Sequence, residues 1–153
     1  MIIHKAEASD TTTILKLVKK LVDLHHRLDE YYKAAAEYKD LEERIADWFD
    51  DKNIAVFIAE DNGSVIAYIR GGIEEAPYYA NVKKIGVLND VFVEEAYRRQ
   101  KIAEELFLRL EEWFKMKNIK NIELSVDARN ETGIVLWKSL GFFEYKLRMR
   151  RDI

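Results

Sequence analysis

Residues 87–110 constrain the fold of this chain more than any other segment. They begin with an apolar strand, VLNDVFV, continue through the turn EEAYRRQKIA and end in an amphipathic helix. Three cations, Arg98, Arg99 and Lys101, therefore stand at a helix start, where the helix dipole disfavours positive charge by about 0.3–1 kcal/mol each. A bound anion would make these cations favourable, because they would then attract its negative charge. The first-turn amides of a helix bind phosphate, so such an anion has a place to bind here. The segment is either a solvated basic turn or a diphosphate site.

A second motif lies downstream, in NETGIVLWKSLGF at residues 130–142. Together with VFVEEAYRRQKIAEEL, it resembles the GCN5-related N-acetyltransferase (GNAT) superfamily. The first motif of that superfamily is a strand followed by R/Q-x-x-G-x-G/A, which Arg98 and Ala103 match, whereas Lys101 replaces the glycine. The second is commonly N-x-x-A-x-x-L-Y-x-K-x-G-F, in which Gly133 here replaces the alanine and Trp137 the tyrosine.

The hydrophobic periodicity predicts the element order β-α-α-β-β-β-α-β-α-β. The first helix is expected to begin at Ser9-Asp10, and three more are expected over residues 32–50, 101–117 and 130–140. Strands are expected over residues 2–4, 55–60, 64–73, 85–93, 122–127 and 142–149. A hairpin turn is expected at Asp61-Asn62-Gly63. The resemblance implies an α/β (α+β) fold with a mixed, mostly antiparallel central sheet of six to seven strands flanked by about four helices. A chain of 153 residues is expected to form one such domain, over residues 1–153.

By resemblance, acetyl-CoA is the acyl donor and lies along the fourth strand, with its diphosphate at the following helix. The implied cofactor-binding residues are Val91, Phe92, Val93, Arg98, Arg99, Gln100, Lys101, Ile102, Ala103, Asn130 and Trp137. Glycine is favoured at position 101 because backbone and phosphate approach closely there. With an ordinary helical conformation, the Lys101 side chain can point outward and its ammonium can reach a phosphate.

Acyl transfer to an amine needs a neutral amine, a stabilised oxyanion and a departing thiolate. Asp90 and Asp127 are the candidates for the base or amine-orienting group, and each is equally compatible with a turn or strand-edge carboxylate. An indole N–H is no useful acid, so Trp137 cannot protonate the thiolate as the usual tyrosine does. Trp137 is expected to contact the pantetheine, line the acceptor pocket or pack in the core.

Composition excludes several classes of function. The formal net charge of −3 argues against nucleic acid as the main partner, and the absence of cysteine excludes disulfides and thiolate chemistry. The three histidines form no metal-ligand pattern, so no metal is expected. With no stretch of about 20 apolar residues and no leader-like start, we expect no membrane partner and a cytoplasmic location.

The sequence thus predicts an acetyl-CoA-dependent N-acetyltransferase, acting on a primary amine of a small molecule or a protein. The alternative is a non-catalytic CoA-binding regulatory or assembly module of the same fold, which the missing glycine and tyrosine keep open. A third possibility is a protein interaction domain without cofactor. Since dimers are common in the superfamily, a homodimer is possible.

Overall fold

The computed structural model describes all 153 residues, and its sheet has five strands that follow one another in chain order. Strands β1 to β4 pair antiparallel with their neighbours, whereas β5 joins β4 in parallel. The strands are β1 (Ile2–Lys5), β2 (Ile54–Asp61), β3 (Ser64–Glu75), β4 (Lys84–Val93) and β5 (Ile122–Leu124). The helices are α1 (Thr11–Leu28), α2 (Leu41–Trp48), α3 (Ile102–Met116) and α4 (Glu131–Ser139). The predicted mixed, mostly antiparallel sheet and the four helices are therefore confirmed.

Two apolar clusters lie on opposite faces of the sheet, because alternate residues of each strand point to opposite sides. Helices α1 and α2 cover one face, where Ile14, Ile45 and Tyr68 are completely buried. Helix α3 covers the other, where Leu110 and Phe114 are completely buried, and Trp137 of α4 joins that cluster. Each fully buried aliphatic or aromatic side chain stabilises the fold by about 1.5–3 kcal/mol.

The β2–β3 hairpin forms at the predicted turn. Asn62 and Gly63 have φ angles of 49° and 77°. A two-residue hairpin loop that follows the strand twist requires two positive φ angles, and Asn-Gly is the sequence that adopts them most readily. This turn fixes the register in which β2 and β3 pair.

The prediction of six to seven strands is wrong, because the sheet has five. The strand predicted at residues 142–149 does not form. Residues from Phe142 onward have no regular secondary structure and belong to no strand pair. The alternation of apolar and polar residues led to the strand prediction, but a strand forms only when the backbone also pairs with a neighbouring strand. Residues 142–149 have no such neighbour. Strand β5 is also shorter than predicted and ends at Leu124.

The continuous helix predicted over residues 32–50 is also wrong. Ala34 is extended, with ψ of 157°, and its N–H donates to Glu37 Oε2 at 2.7 Å. This side-chain bond closes a single 3-10 turn at Ala35–Glu37, so the regular helix begins only after Asp40. Local polar bonds of this kind compete with helix propagation.

None of the helices combines the length and apolarity that crossing a membrane requires.

Candidate active site

A bulge in β4 separates two halves of that strand. Arg70 of β3 opposes Asp90, but the next residue, Gly71, opposes Leu88, so Asn89 is left outside the register. Beyond the bulge, Val91 and Val93 face the α3 side of the sheet and are half-buried, while Phe92 is buried on the α1 side. A bulge of this kind bends its strand and increases the local twist.

The parallel strands β4 and β5 part at the same place. Their pairing runs from Gly86 with Ile122 to Leu88 with Leu124 and ends there. From Asn89 to Val93, β4 has a strand neighbour only on the β3 side, so its other edge is open. An extended ligand with amide groups can pair with such an edge as an added strand does. The predicted strand contacts Val91, Phe92 and Val93 all lie on this open half.

The turn after β4 directs the chain into α3 with two residues in the left-handed region. Arg99 and Lys101 have φ angles of 63° and 62°. Arg98 is exposed; its Nε donates to the Val93 carbonyl at 3.1 Å, and its guanidinium lies 5.8 Å from the centre of the Phe92 ring. The remaining Arg98 N–H groups stay free for an anion. Gln100, between the two strained residues, is exposed and donates from Nε2 to the Ala96 carbonyl at 3.4 Å.

Helix α3 begins without a side-chain cap. Lys101 is the N-cap residue, and no side chain accepts from the first-turn amides. These amides, at residues 102–104, are among the four that an α-helix cannot satisfy internally. Ile102 is buried and Ala103 half-buried, so their side chains anchor the helix start while the backbone stays available. The helix start thus offers the donors that bind a phosphate.

The conformation of Lys101 differs from the one expected. Lys101 is not in the ordinary helical region but takes the left-handed conformation that glycine adopts without cost. In a residue with a Cβ this conformation costs about 1–2 kcal/mol. Such strain is concentrated at functional sites, where the surrounding structure maintains it. Position 101 therefore retains the backbone geometry of a glycine while carrying a positive charge.

Asp90 is held by an ion pair across β3 and β4. Arg70 Nε donates to Asp90 Oδ2 at 2.7 Å, and each side chain is 21% exposed. The Arg70 guanidinium also lies 4.3 Å from the centre of the Trp48 ring, a cation–π distance. Next to this pair, the Tyr68 hydroxyl is buried without a hydrogen-bond partner. Burial, and secondarily the nearby Asp90 charge, raise the pKa of Tyr68 well above its usual value.

Asp127 lies three residues past β5 and is bound to a different arginine. Arg129 donates from Nη2 to Asp127 Oδ2 at 2.7 Å, and from both Nε and its backbone N–H to Oδ1. These bonds, the side-chain ones first, lower the pKa of Asp127 from 3.8 to about 2. A carboxylate with so low a pKa takes up a proton poorly near neutral pH. Asp127 and Asp90 belong to separate ion pairs.

Most of the second motif serves the ends of α4. Asn130 is the N-cap, and its Oδ1 accepts from the Gly133 N–H at 3.0 Å. A Cβ at Gly133 would lie 2.6 Å from Asn130 Nδ2, so any larger residue here would require the Asn130 side chain to shift. At the other end Gly141 has φ of 91°, and Phe142 N–H donates to the Trp137 carbonyl at 3.0 Å. Together with the Gly141 N–H bond to the Lys138 carbonyl, this is a Schellman C-cap.

Trp137 is a core residue. It is 6% exposed, and its ring makes edge-to-face contacts with Phe107 at 6.0 Å and Phe142 at 5.8 Å. The cluster joins α3, α4 and the start of the C-terminal tail. Of the alternatives for Trp137, core packing is the one these contacts favour. The predictions that Asn130 and Trp137 bind the cofactor are not tested by these contacts and stay predictions.

The sequence pattern did not identify Arg70 and Arg129, the arginines that form ion pairs with Asp90 and Asp127. Arg70 is the only charged residue in the run VIAYIRGGI, and a charge in a largely buried strand needs a partner. That signal could have identified it. No comparable signal marks Asp29 at the end of α1, which accepts from Arg129 at 3.4 Å and from Arg150 at 2.7 Å. These contacts join segments 100 and 121 residues apart in the chain.

Comparison with known proteins assigns the fold. The sequence profile of the Acetyltransferase (GNAT) family matches residues 21–142. No curated protein matches the sequence. Among solved structures, a tetramutant of the BH1408 protein from Bacillus halodurans superposes with a TM-score of 0.87 at 20% identity, over 100% of both chains.

Two aminoglycoside acetyltransferases are also similar. The 6'-N-acetyltransferase AAC(6')-IG from Acinetobacter haemolyticus gives a TM-score of 0.78 at 20% identity, over 100% of this chain and 99% of that one. AAC(6')-Iy, in complex with the bisubstrate analog CoA-S-monomethyl-acetylneamine, gives 0.82 at 17% identity, over 99% and 97%. At these identities the likeness shows the fold.

Proposed function

This chain belongs to the GNAT acetyltransferase family, and from that membership we propose that it transfers an acetyl group from acetyl-CoA to a primary amine. The observation that carries the proposal is the continuity of two binding surfaces. The open edge of β4 leads directly into the uncapped, basic start of α3. One surface suits an extended amide-containing arm and the other a diphosphate, in the order in which CoA carries them.

The residues of this chain fit the proposed donor. Backbone groups of Val91 to Val93 would pair with the pantetheine arm, and the amides of residues 102–104 would receive the diphosphate. Arg98, Arg99 and Lys101 would add charge-assisted bonds. CoA-bound structures of the similar AAC(6')-Iy support this use of the fold. The donor supplies the thioester carbon that the amine attacks.

In the proposed reaction, the amine nitrogen forms a bond to the thioester carbon and the bond from that carbon to sulfur breaks. The ammonium form of the acceptor must first lose a proton, and the nitrogen loses a second one after attack. We assign Asp90, rather than Asp127, to the acceptor amine. Its Oδ2 is occupied by Arg70, which leaves Oδ1 to orient the amine or a water that takes the proton.

No acid is required at position 137. Trp137 is buried among aromatic rings and cannot donate a proton to the leaving thiolate. A thiol with a pKa of about 8.5 departs without general-acid help near neutral pH. The replacement of tyrosine by tryptophan is therefore compatible with turnover.

The decisive experiment separates binding from catalysis. Calorimetric titration with acetyl-CoA and with CoA measures donor affinity, and free-thiol release with a panel of small amines, aminoglycosides and lysine peptides measures transfer. We expect donor affinity together with amine-dependent thiol release. Affinity without any release would support the alternative, a CoA-binding regulatory or assembly module. No heat with either compound would overturn the cofactor assignment itself.

A further inference from the structure

Two carboxylates flank the opening between β4 and β5. The last residue pair that joins these strands is Leu88 with Leu124. Asp90 follows two residues after Leu88, and Asp127 follows three residues after Leu124. At no more than about 3.6 Å per residue, Asp90 lies within about 7 Å of that pair along its chain, and Asp127 within about 11 Å. The two carboxylates therefore lie on opposite sides of one opening.

Helix α1 crosses this opening on the face of the sheet where Asp90 lies. Asp90 shares that face with Phe92, because alternate residues of a strand point to the same side. Lys20 of α1 forms an ion pair with Glu94, just past the end of β4. Asp29, directly after α1, accepts from Arg129 in the β5–α4 loop at 3.4 Å. The end of α1 and the β5–α4 loop thus border the opening on the Asp90 face.

Each carboxylate of this border is already paired with an arginine. The pairs are Asp90 with Arg70, Asp127 with Arg129 and Asp29 with Arg150, each at 2.7 Å. A polycationic acceptor, such as a polyamine or an aminoglycoside, needs unpaired carboxylates for its additional ammonium groups. Here each additional ammonium would have to displace a guanidinium, and like charges placed together in an interface are costly. The charge pattern therefore disfavours polycations.

The arginines, rather than the carboxylates, form the outer surface of the border. The side chains of Arg129 and Arg150 are 56% and 45% exposed, whereas those of Asp29 and Asp127 are 14% and 25% exposed. Both guanidiniums donate from Nη2 to the same atom, Asp29 Oδ2, so they converge on one point. Arginine N–H groups in such an arrangement bind carboxylates through charge-assisted hydrogen bonds.

We infer that the acceptor is a small amine that also carries a carboxylate, with its amine at Asp90 and its carboxylate at Arg129 and Arg150. This inference rests on the proposed function, because it assigns the acceptor of the same transfer. The acceptor carboxylate would bind guanidinium N–H groups that Asp29 and Asp127 do not occupy. A second ammonium in the same place would meet two like charges, which is how a site rejects a competing ligand.

Acceptors of equal length and different end charge test the inference. The best length in a series of ω-amino acids, from glycine to 8-aminooctanoate, is compared with the amide and the diamine of that length. We expect kcat/KM from free-thiol release to fall in the order carboxylate, amide, diamine. The carboxylate should exceed the amide about tenfold or more, the worth of a hydrogen bond to a charged group.

Calorimetry on the CoA-saturated chain measures acceptor affinity without turnover and should give the same order. Binding in this order without thiol release would support the acceptor class and overturn the proposed transfer. A diamine preferred over the carboxylate, or no binding of any ω-amino acid, overturns the inference even where thiol release confirms transfer.

Variants of the two arginines test which residues read the carboxylate. Arg129→Gln and Arg150→Gln should each reduce the carboxylate-to-amide ratio of kcat/KM, or of affinity, by about three- to tenfold. The ratio is the measure, because general weakening of the fold lowers both values equally. Arg150→Gln leaves the Arg129–Asp127 pair intact. Arg109→Gln, exposed on α3, is the matched control and should keep the ratio. A ratio unchanged in both Arg129→Gln and Arg150→Gln overturns the inference.

Discussion

At the scale of single residues, Lys101 is the clearest case of a conformational cost in the backbone. It holds a left-handed conformation at the start of α3 and has no capping bond to compensate. We expect Lys101→Gly to raise the free energy of unfolding by about 1 kcal/mol, because glycine adopts this φ without steric strain. Urea denaturation measures the change. Lys117→Gly, at a position with φ of −89°, is the control and should give no gain.

The same substitution separates backbone geometry from charge in donor binding. If position 101 serves the diphosphate mainly through its backbone, Lys101→Gly should keep acetyl-CoA affinity within about a factor of ten, the worth of roughly one exposed charge. Complete loss of the calorimetric signal in a variant of raised stability would show instead that the ammonium is indispensable.

The two candidate carboxylates differ by the arginines that bind them. Asp90→Asn removes the charge proposed to hold the acceptor amine, so we expect kcat/KM for the amine to fall about ten- to a hundredfold, the worth of one charge-assisted hydrogen bond. Asp127→Asn is the comparison and should change kcat/KM by much less. A larger loss from Asp127→Asn, with both variants folded by circular dichroism, would reverse the assignment.

At the scale of elements, glycines set how closely α3 approaches the sheet. A Cβ at Gly86 of β4 would lie 2.8–3.0 Å from three ring atoms of Phe114, which is completely buried. Gly86→Ala should therefore lower the free energy of unfolding by about 1–3 kcal/mol, as overpacking of a core does. Gly72→Ala on β3 is the matched control, since its Cβ would meet nothing closer than 3.5 Å. Equal denaturation midpoints for the two variants would contradict this account of the packing.

Elements defined by local chemistry were predictable, and elements defined by distant partners were not. Asn62-Gly63 specifies its turn through two positive φ angles, and Asn130 and Gly141 specify the two ends of α4. Residues 142–149 have the alternation of a strand, yet whether a strand forms depends on a neighbour that no local pattern reveals. The bulge at Asn89 likewise depends on how β3 and β4 pair. The strand–turn–helix segment proposed to bind the donor could thus be located from sequence, whereas the pairing of Arg70 with Asp90 depends on the register of β3 and β4.

At the scale of the whole molecule, one carboxylate network connects distant parts of the chain. Asp29 binds Arg129 and Arg150, and Arg129 also binds Asp127, so the end of α1, the β5–α4 loop and the tail are joined. Bonds from the arginines lower the pKa of both carboxyls, that of Asp127 from 3.8 to about 2. A lowered pKa contributes stability above the unfolded value that is lost as pH falls through the folded one.

Acid should therefore weaken the molecule between pH 3.8 and about 2. Asp127→Asn removes one titrating group of the network, so its free energy of unfolding should depend less steeply on pH in this window than that of the unmodified chain. Urea denaturation at a series of pH values measures the slope. Asp50→Asn, at an exposed carboxylate outside the network, is the control, and a slope reduced as much in that variant would contradict the role of the network.

The order of the strands has a consequence for how the chain acquires its cleft. Strands β2, β3 and β4 form a meander within residues 54–93, joined by short connections, so their contacts close early and locally. The only parallel pairing, between β4 and β5, can form only after α3 has brought the chain back to the sheet, because α3 lies between these two strands in the sequence. It consists of three residue pairs. The proposed donor cleft thus opens at the junction of the sheet that has the fewest residue pairs. Amide hydrogen exchange at residues 122–124 should slow when a donor is bound between β4 and β5, because the bound donor would pair with the open edge of β4 as an added strand does.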